Sequence, residues 1–352
     1  MGSEVVGLES KQAFKEIREG QIRPIYICFG TESYRMNEFA ERLAAAVAEP
    51  EHRDMAIVRF DTAEHPLDVI LEEAETMPFL VPSKLVLVRD SVVFGSAKES
   101  AKTEHRTERL LEYMRRPFET TVLVFMVPQD KLDERKKTSK AAKQDGIVVN
   151  FSPLGPDELL QWISGRAAKQ GRKLDRTAAE ELIRRAGTEM GALSAETDKL
   201  CLHAGEGGTV TAAAVAELVP AGVEQSVFKL TEEIASLRTD KAIALYHDLL
   251  RRREEPIKLT ALLVRQFRSM LYVKELSKQG YSPQQMAGQL GMHPYGVKVT
   301  ADQAKAFSIE RLTALLGALA ELDYEMKTGR IDKTLGLELW LLRTGSGVGM
   351  KA

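Results

Sequence analysis

Glu75-Thr76-Met77-Pro78-Phe79-Leu80-Val81-Pro82-Ser83-Lys84, running on into Leu85-Val86-Leu87-Val88, joins a helix to a strand through a segment that belongs to neither. Upstream, Leu67, Ile70, Leu71 and Ala74 recur at helical spacing, so residues 66–76 read as an amphipathic helix. Pro78 disfavours helical dihedrals at Met77, and Pro82 keeps the following residues irregular. Phe79 and Leu80 therefore lie between two prolines, at a helix exit and ahead of a buried strand. Two readings are open. Either the pair folds back onto its own core, or it forms a surface wedge that fills a pocket on a partner protein.

Outward from this stretch, short apolar runs at 24–30, 56–61, 84–89, 120–127 and 146–151 read as strands. Helical segments lie between them, including an alanine-rich helix at 34–48 and a basic one at 131–143. Five strands alternating with helices predict a parallel sheet covered on both faces over residues 1–151. Such a sheet raises the question of a phosphate loop after its first strand, where the chain reads Gly30-Thr31-Glu32-Ser33. No Gly-Lys-Ser/Thr follows Gly30, and Glu32 and Glu38 would repel a triphosphate. The strand end Val88-Arg89-Asp90 also lacks paired acids, so the loop is expected to be degenerate and the chain to need no cofactor.

Ser152-Pro153-Leu154-Gly155-Pro156 ends the strand pattern. Helices at 156–170, 175–187 and 190–203 and a last one capped by Thr211 predict a small helical domain over 152–220. Residues 221–352 read as a bundle of long leucine-rich helices, which predicts an all-helical domain that packs on itself or on neighbours. Within it, residues 282–298 have the outline of a DNA-reading helix-turn-helix, but Val297-Lys298-Val299 supplies few side chains suited to base edges.

The 352 residues carry 49 Lys plus Arg against 51 Asp plus Glu, so bulk charge attracts no polyanion and any nucleic-acid contact must be local. The basic segment with Lys131, Arg135, Lys136 and Lys137 is either a solvated face or a contact to duplex backbone. Two distant cysteines, Cys28 and Cys201, argue against a disulfide framework or a zinc site and fit the cytoplasm. No apolar run reaches membrane-spanning length, so no membrane association is expected. An active ATPase and a DNA-binding regulator using 282–298 are the competing functional classes.

Four stretches in order carry a family resemblance: Pro24-Ile25-Tyr26-Ile27 leading to Gly30-Thr31-Glu32; Thr76-Met77-Pro78-Phe79-Leu80 with Lys84 to Val88; Lys131-Leu132-Asp133-Glu134-Arg135-Lys136-Lys137; and Arg265-Gln266-Phe267-Arg268. With them the chain resembles the δ subunits of bacterial DNA polymerase III, the clamp-loader components that open the sliding clamp. The resemblance implies an AAA+-like sheet domain (1–151), a small helical lid domain (152–220) and a helical collar (221–352). It implies that Phe79 and Leu80 insert into the β sliding clamp, with Met77 and Pro78 shaping the loop. Relatives often carry a second Phe at the position of Leu80 and a polar residue at that of Pro82. It further implies collar contacts through Phe228, Arg265, Gln266 and Arg268 to γ/τ and δ′ subunits, and primer-template DNA within the assembly. Such relatives belong to the DNA polymerase III holoenzyme, yet no acidic metal-binding pair of a polymerase site stands in this sequence.

Overall fold

The computed structural model describes residues 8–89, 91–96, 105–144 and 148–345. The chain divides into two compact units, Met1–Pro153 and Leu154–Ala352. The first contains, in order, β1 (Leu8–Glu9), α1 (Ser10–Arg18), β2 (Ile25–Phe29), α2 (Ser33–Val47), α3 (Arg53–Ala56), β3 (Ile57–Asp61) and α4 (Leu67–Glu75). It continues with β4 (Lys84–Arg89), α5 (Glu108–Arg115), β5 (Thr121–Val127), α6 (Lys137–Gln144) and β6 (Val148–Asn150).

These strands form one parallel sheet in the order β1-β6-β2-β5-β4-β3. Parallel strands with helical crossovers are covered on both faces, which is why β4 and β5 are almost continuously apolar. Successive side chains leave a strand on opposite sides. Val86, Val88, Leu123 and Phe125 meet Ile70, Leu71, Leu110 and Met114 on one face. Leu85, Leu87, Val122 and Val124 meet Ala13, Ile17, Phe39 and Leu43 on the other. The register Val86↔Leu123 and Ile25↔Leu123 aligns the three central strands.

The described sheet has six strands where the sequence pattern predicts five. Leu8–Glu9 is too short for any periodicity to register, yet it pairs with β6. The last strand is Val148–Asn150, and residues 146–147 of the expected run lie outside the described residues. The basic helix begins at Lys137, not at 131. Asp133 accounts for the difference. Its amide donates to Phe94 O (2.9 Å), its carbonyl accepts from Lys136 N (3.1 Å), and its carboxylate accepts from Arg135 N (3.0 Å). These local bonds favour a turn over a helical start.

The second unit runs α7 (Pro156–Lys169), β7 (Lys173–Leu174), α8 (Arg176–Ala186), α9 (Met190–Ala204), β8 (Thr209–Val210) and α10 (Ala212–Leu218). There follow α11 (Val223–Ala235), α12 (Thr239–Arg251), α13 (Pro256–Lys278), α14 (Pro283–Leu290), α15 (Pro294–Ala304), α16 (Ile309–Lys327) and α17 (Lys333–Gly345). Strands do not stop at residue 152 as the pattern suggests: β7 and β8 make a two-stranded parallel pair, Lys173↔Thr209 and Leu174↔Val210. Asp175, Glu189 and Thr211 cap α8, α9 and α10 with side-chain acceptors. In the larger bundle α13 is central. Leu259, Leu263, Phe267 and Met270 are fully buried among residues of α11, α12, α16 and α17.

Leu237 ends α11 in a left-handed conformation, φ 55°, although it is not glycine and is half exposed. Its amide donates to Ile234 O (3.2 Å) and Arg238 N to Glu233 O (2.9 Å), the paired bonds of a Schellman end. A leucine there costs about 1 kcal/mol against glycine. Leu237→Gly is therefore expected to raise the urea midpoint of the bundle by the equivalent of about 0.5–1 kcal/mol. An unchanged or lowered midpoint counts against strain at this turn.

Candidate functional site

Helix α4 buries Leu67, Ile70, Leu71 and Ala74 completely, which fixes its C-terminal end at the edge of the sheet face. Thr76 leaves the helix in an extended conformation with ψ 139°. Its amide and hydroxyl both return to Glu72 O, at 3.1 and 2.8 Å. The chain then projects into solvent. Met77, Phe79 and Leu80 are 73, 75 and 73% exposed, and Pro78 is half-buried at the bend. The fold-back alternative fails, because neither Phe79 nor Leu80 reaches the core of its own unit. Leu80 has φ 59°, and the loop contains no glycine.

The base of this loop is built from charges that sequence reasoning passed over. The last turn of α4 holds Glu72, Glu73 and Glu75 and no basic residue. Lys84, first residue of β4, is buried with its side chain 3% exposed. Its ammonium donates to the Glu73 carbonyl and to Glu73 Oε1 (2.7 Å). Arg109 of α5 pairs with Glu75 and, at 3.5 Å, with Glu72. Its hydrogen bond to Glu75 raises the Arg109 pKa. The available signal was a lysine opening an apolar strand, opposite three acids with no cation on their own helix.

At the carboxyl ends of β2 and β5, Gly30 has φ 138°, and a Cβ there would lie 2.3 Å from the Phe151 carbonyl carbon. Gly30 N donates to Val127 O (3.2 Å), Glu32 N to Phe151 O (3.0 Å) and Ser33 N to Thr31 O (3.1 Å). The amides that would wrap a phosphate are thus spent on the protein. Beside them lies an open cleft of about 650 Å³ lined by Thr31, Ser96, Gln129, Asp130 and Lys131.

Among the four basic residues singled out, Lys131 borders that cleft. Arg135 forks onto Asp133 through Nε and Nη2 at 2.9 and 2.8 Å, which holds the Asp133 carboxyl at about 2. Lys136 donates to Val92 O at 2.7 Å, and Lys137 is exposed at the start of α6. The bundle residues also divide. Gln266 Nε2 donates to Gln303 Oε1 (2.6 Å), and Gln303 Nε2 donates to Phe228 O (3.0 Å) and to the Thr231 hydroxyl. Gln266 and Phe228 thus join an internal network across α11, α13 and α15. Arg265 is exposed with Glu224 at 3.0 Å, and Arg268 is exposed.

The 282–298 segment is a helix, a turn at Gly291 (φ 61°) and a second helix whose Tyr295 amide is capped by His293 Nδ1. Val297, where a base-reading side chain would be wanted, is buried against Met286, Ala287 and Val273. Among the described residues no group of three His, Cys, Asp or Glu could hold a metal ion, and no helix is long and apolar enough to cross a membrane.

The family model for the DNA polymerase III delta subunit matches residues 26–152, and the model for the C-terminal domain of the same family matches 224–344. The chain is 36% identical over 330 residues to DNA polymerase III subunit delta of Bacillus subtilis (strain 168), covering 94% of this chain and 95% of that protein. Its structure resembles that of the Bacillus subtilis DNA clamp loader delta protein with a TM-score of 0.77 at 35% identity, across 96% of this chain and 99% of the other. An α/β sheet unit, a mainly helical remainder and agreement over nearly the full length of both relatives leave one assignment: the chain belongs to the DNA polymerase III delta subunit family.

Proposed function

We propose that this chain acts in a clamp loader by binding the β sliding clamp and holding it open for placement on primed DNA. The observation that carries the reading is the exposed pair Phe79 and Leu80 on a loop tied at both ends. Two large apolar side chains in water lower the free energy by entering a pocket, and adjacent buried anchors are the usual energetic centre of an interface.

Binding alone does not open a ring. A ligand moves an equilibrium only by its differential affinity for the two states. A wedge whose pocket is better formed when the neighbouring ring interface has parted supplies that difference. Each anchor contributes about 2–4 kcal/mol as a hot spot, so a fraction realised only in the open state shifts the ring population by orders of magnitude. The bundle with Arg265 and Arg268 on its surface joins γ/τ and δ′ subunits. Nucleotide held by those partners controls when the wedge is presented, since Gly30, Thr31 and Glu32 do not make a phosphate cradle here.

Replacing both Phe79 and Leu80 by Ala is expected to weaken clamp binding about a thousand-fold or more, with the thermal midpoint unchanged because neither side chain packs on its own unit. Wild-type capture of the clamp by the double variant would refute the proposal. The competing ATPase reading is checked by titrating the isolated chain with mant-ATP. No saturable binding is expected, and micromolar affinity restores that alternative.

Contact with DNA is expected to be weak, independent of base sequence and steep in salt. Replacing Lys131 and Lys137 by Ala should flatten the salt dependence of duplex binding by about 0.9 in log–log slope per lost contact. Arg135→Ala should change it less, because Asp133 already neutralises that guanidinium.

A further inference from the structure

The 76–83 loop runs from the C-terminal turn of α4 to the first residue of β4, and that turn is held by cations from β4 and α5. Acids in the last turn of a helix face the negative end of its dipole and repel one another at i, i+3 spacing. Glu72, Glu73 and Glu75 therefore favour fraying of that turn. Lys84 opposes it from the strand side. Its ammonium takes the Glu73 carbonyl and carboxylate, while its own amide donates to Thr120 O at 2.9 Å. One residue thus joins the end of α4 to the start of β4. Arg109, from α5, bridges the two remaining acids.

We propose that Lys84 and Arg109 are positioning residues for clamp docking. They close the base of the loop so that the tip stays in one shape in the free protein. The inference rests on the docking reading above. A loop ordered before binding does not have to be ordered on binding, and that difference appears as affinity without any contact of its own. Besides Pro78 and Pro82, the tip itself packs on little: Met77, Phe79 and Leu80 are exposed, and Leu80 is held in a left-handed conformation that an unrestrained leucine avoids.

The test uses the full chain and purified β clamp, with affinity measured well below the thermal midpoint. Amide exchange at Thr76 and Lys84 is followed in the free protein. Arg109→Gln is expected to weaken clamp binding about ten-fold, to speed exchange at those two amides and to leave the thermal midpoint in place. Arg109→Lys should restore most of the affinity, and Arg109→Ala should reproduce the loss. Lys84→Met is expected to show the larger effect. Should it unfold the sheet unit, Arg109→Gln and Arg109→Ala carry the test alone.

Wild-type affinity in both of those variants, alongside lost binding when Phe79 and Leu80 are replaced, overturns the positioning role and leaves the docking reading standing. Wild-type affinity when Phe79 and Leu80 are themselves replaced removes the docking reading, and this inference with it.

Discussion

A buried ammonium at the first residue of a strand organises the working end of the sheet unit. Lys84 is almost wholly enclosed, and removing a charge from water costs several kcal/mol before any partner is found. The Glu73 carbonyl and carboxylate offset that cost only if α4 keeps its last turn and β4 starts where it does. The helix end, the loop span and the strand start are therefore mutually dependent. Arg109 extends the same constraint to α5, whose Leu110 and Met114 are anchored in the core on that face of the sheet. The exposed pair at the tip inherits its placement from these contacts and makes none that hold it.

The opposite fate has befallen the loop after β2. Gly30 comes so close to Phe151 that only glycine fits, and the amides of Gly30 and Glu32 are committed to the carbonyls of Val127 and Phe151. Backbone groups that could have faced a ligand instead stitch β2 to the strands on either side of it. The sheet is held together here by those committed amides. Asp130 and Lys131 set opposite charges side by side in the lining of the remaining cleft.

Much of this was legible in the residues. The apolar runs of β2, β4 and β5 located the sheet because buried parallel strands need no alternation, and Pro78 with Pro82 located the tip. What escaped had a common cause. Leu8–Glu9, Lys173–Leu174 and Thr209–Val210 are strands only by virtue of a partner, and two residues carry no periodic signal. Lys131 to Lys136 read as helix by composition, but the two local bonds of Asp133 and its tie to Phe94 take precedence over propensity. Pattern alone could not place the buried Gln303, which bonds to Gln266 and to the Phe228 carbonyl inside the bundle. The cations at the loop base were invisible for the same reason. Their acids lie eleven and more residues away in sequence.

Three non-glycine residues adopt positive φ among those described, and they are not alike. Leu237 and Arg253 each end a helix with two backbone hydrogen bonds closing the turn, so their strain is offset where it arises. Leu80 lies at no helix terminus, and none of the described backbone hydrogen bonds comes from its amide. Its side chain is also in water, so burial does not compensate either. A conformation that is costly, locally unrewarded and carried by an exposed apolar residue persists when the surrounding structure over-determines it. Here the two prolines and the cation-bound ends of the loop supply that determination.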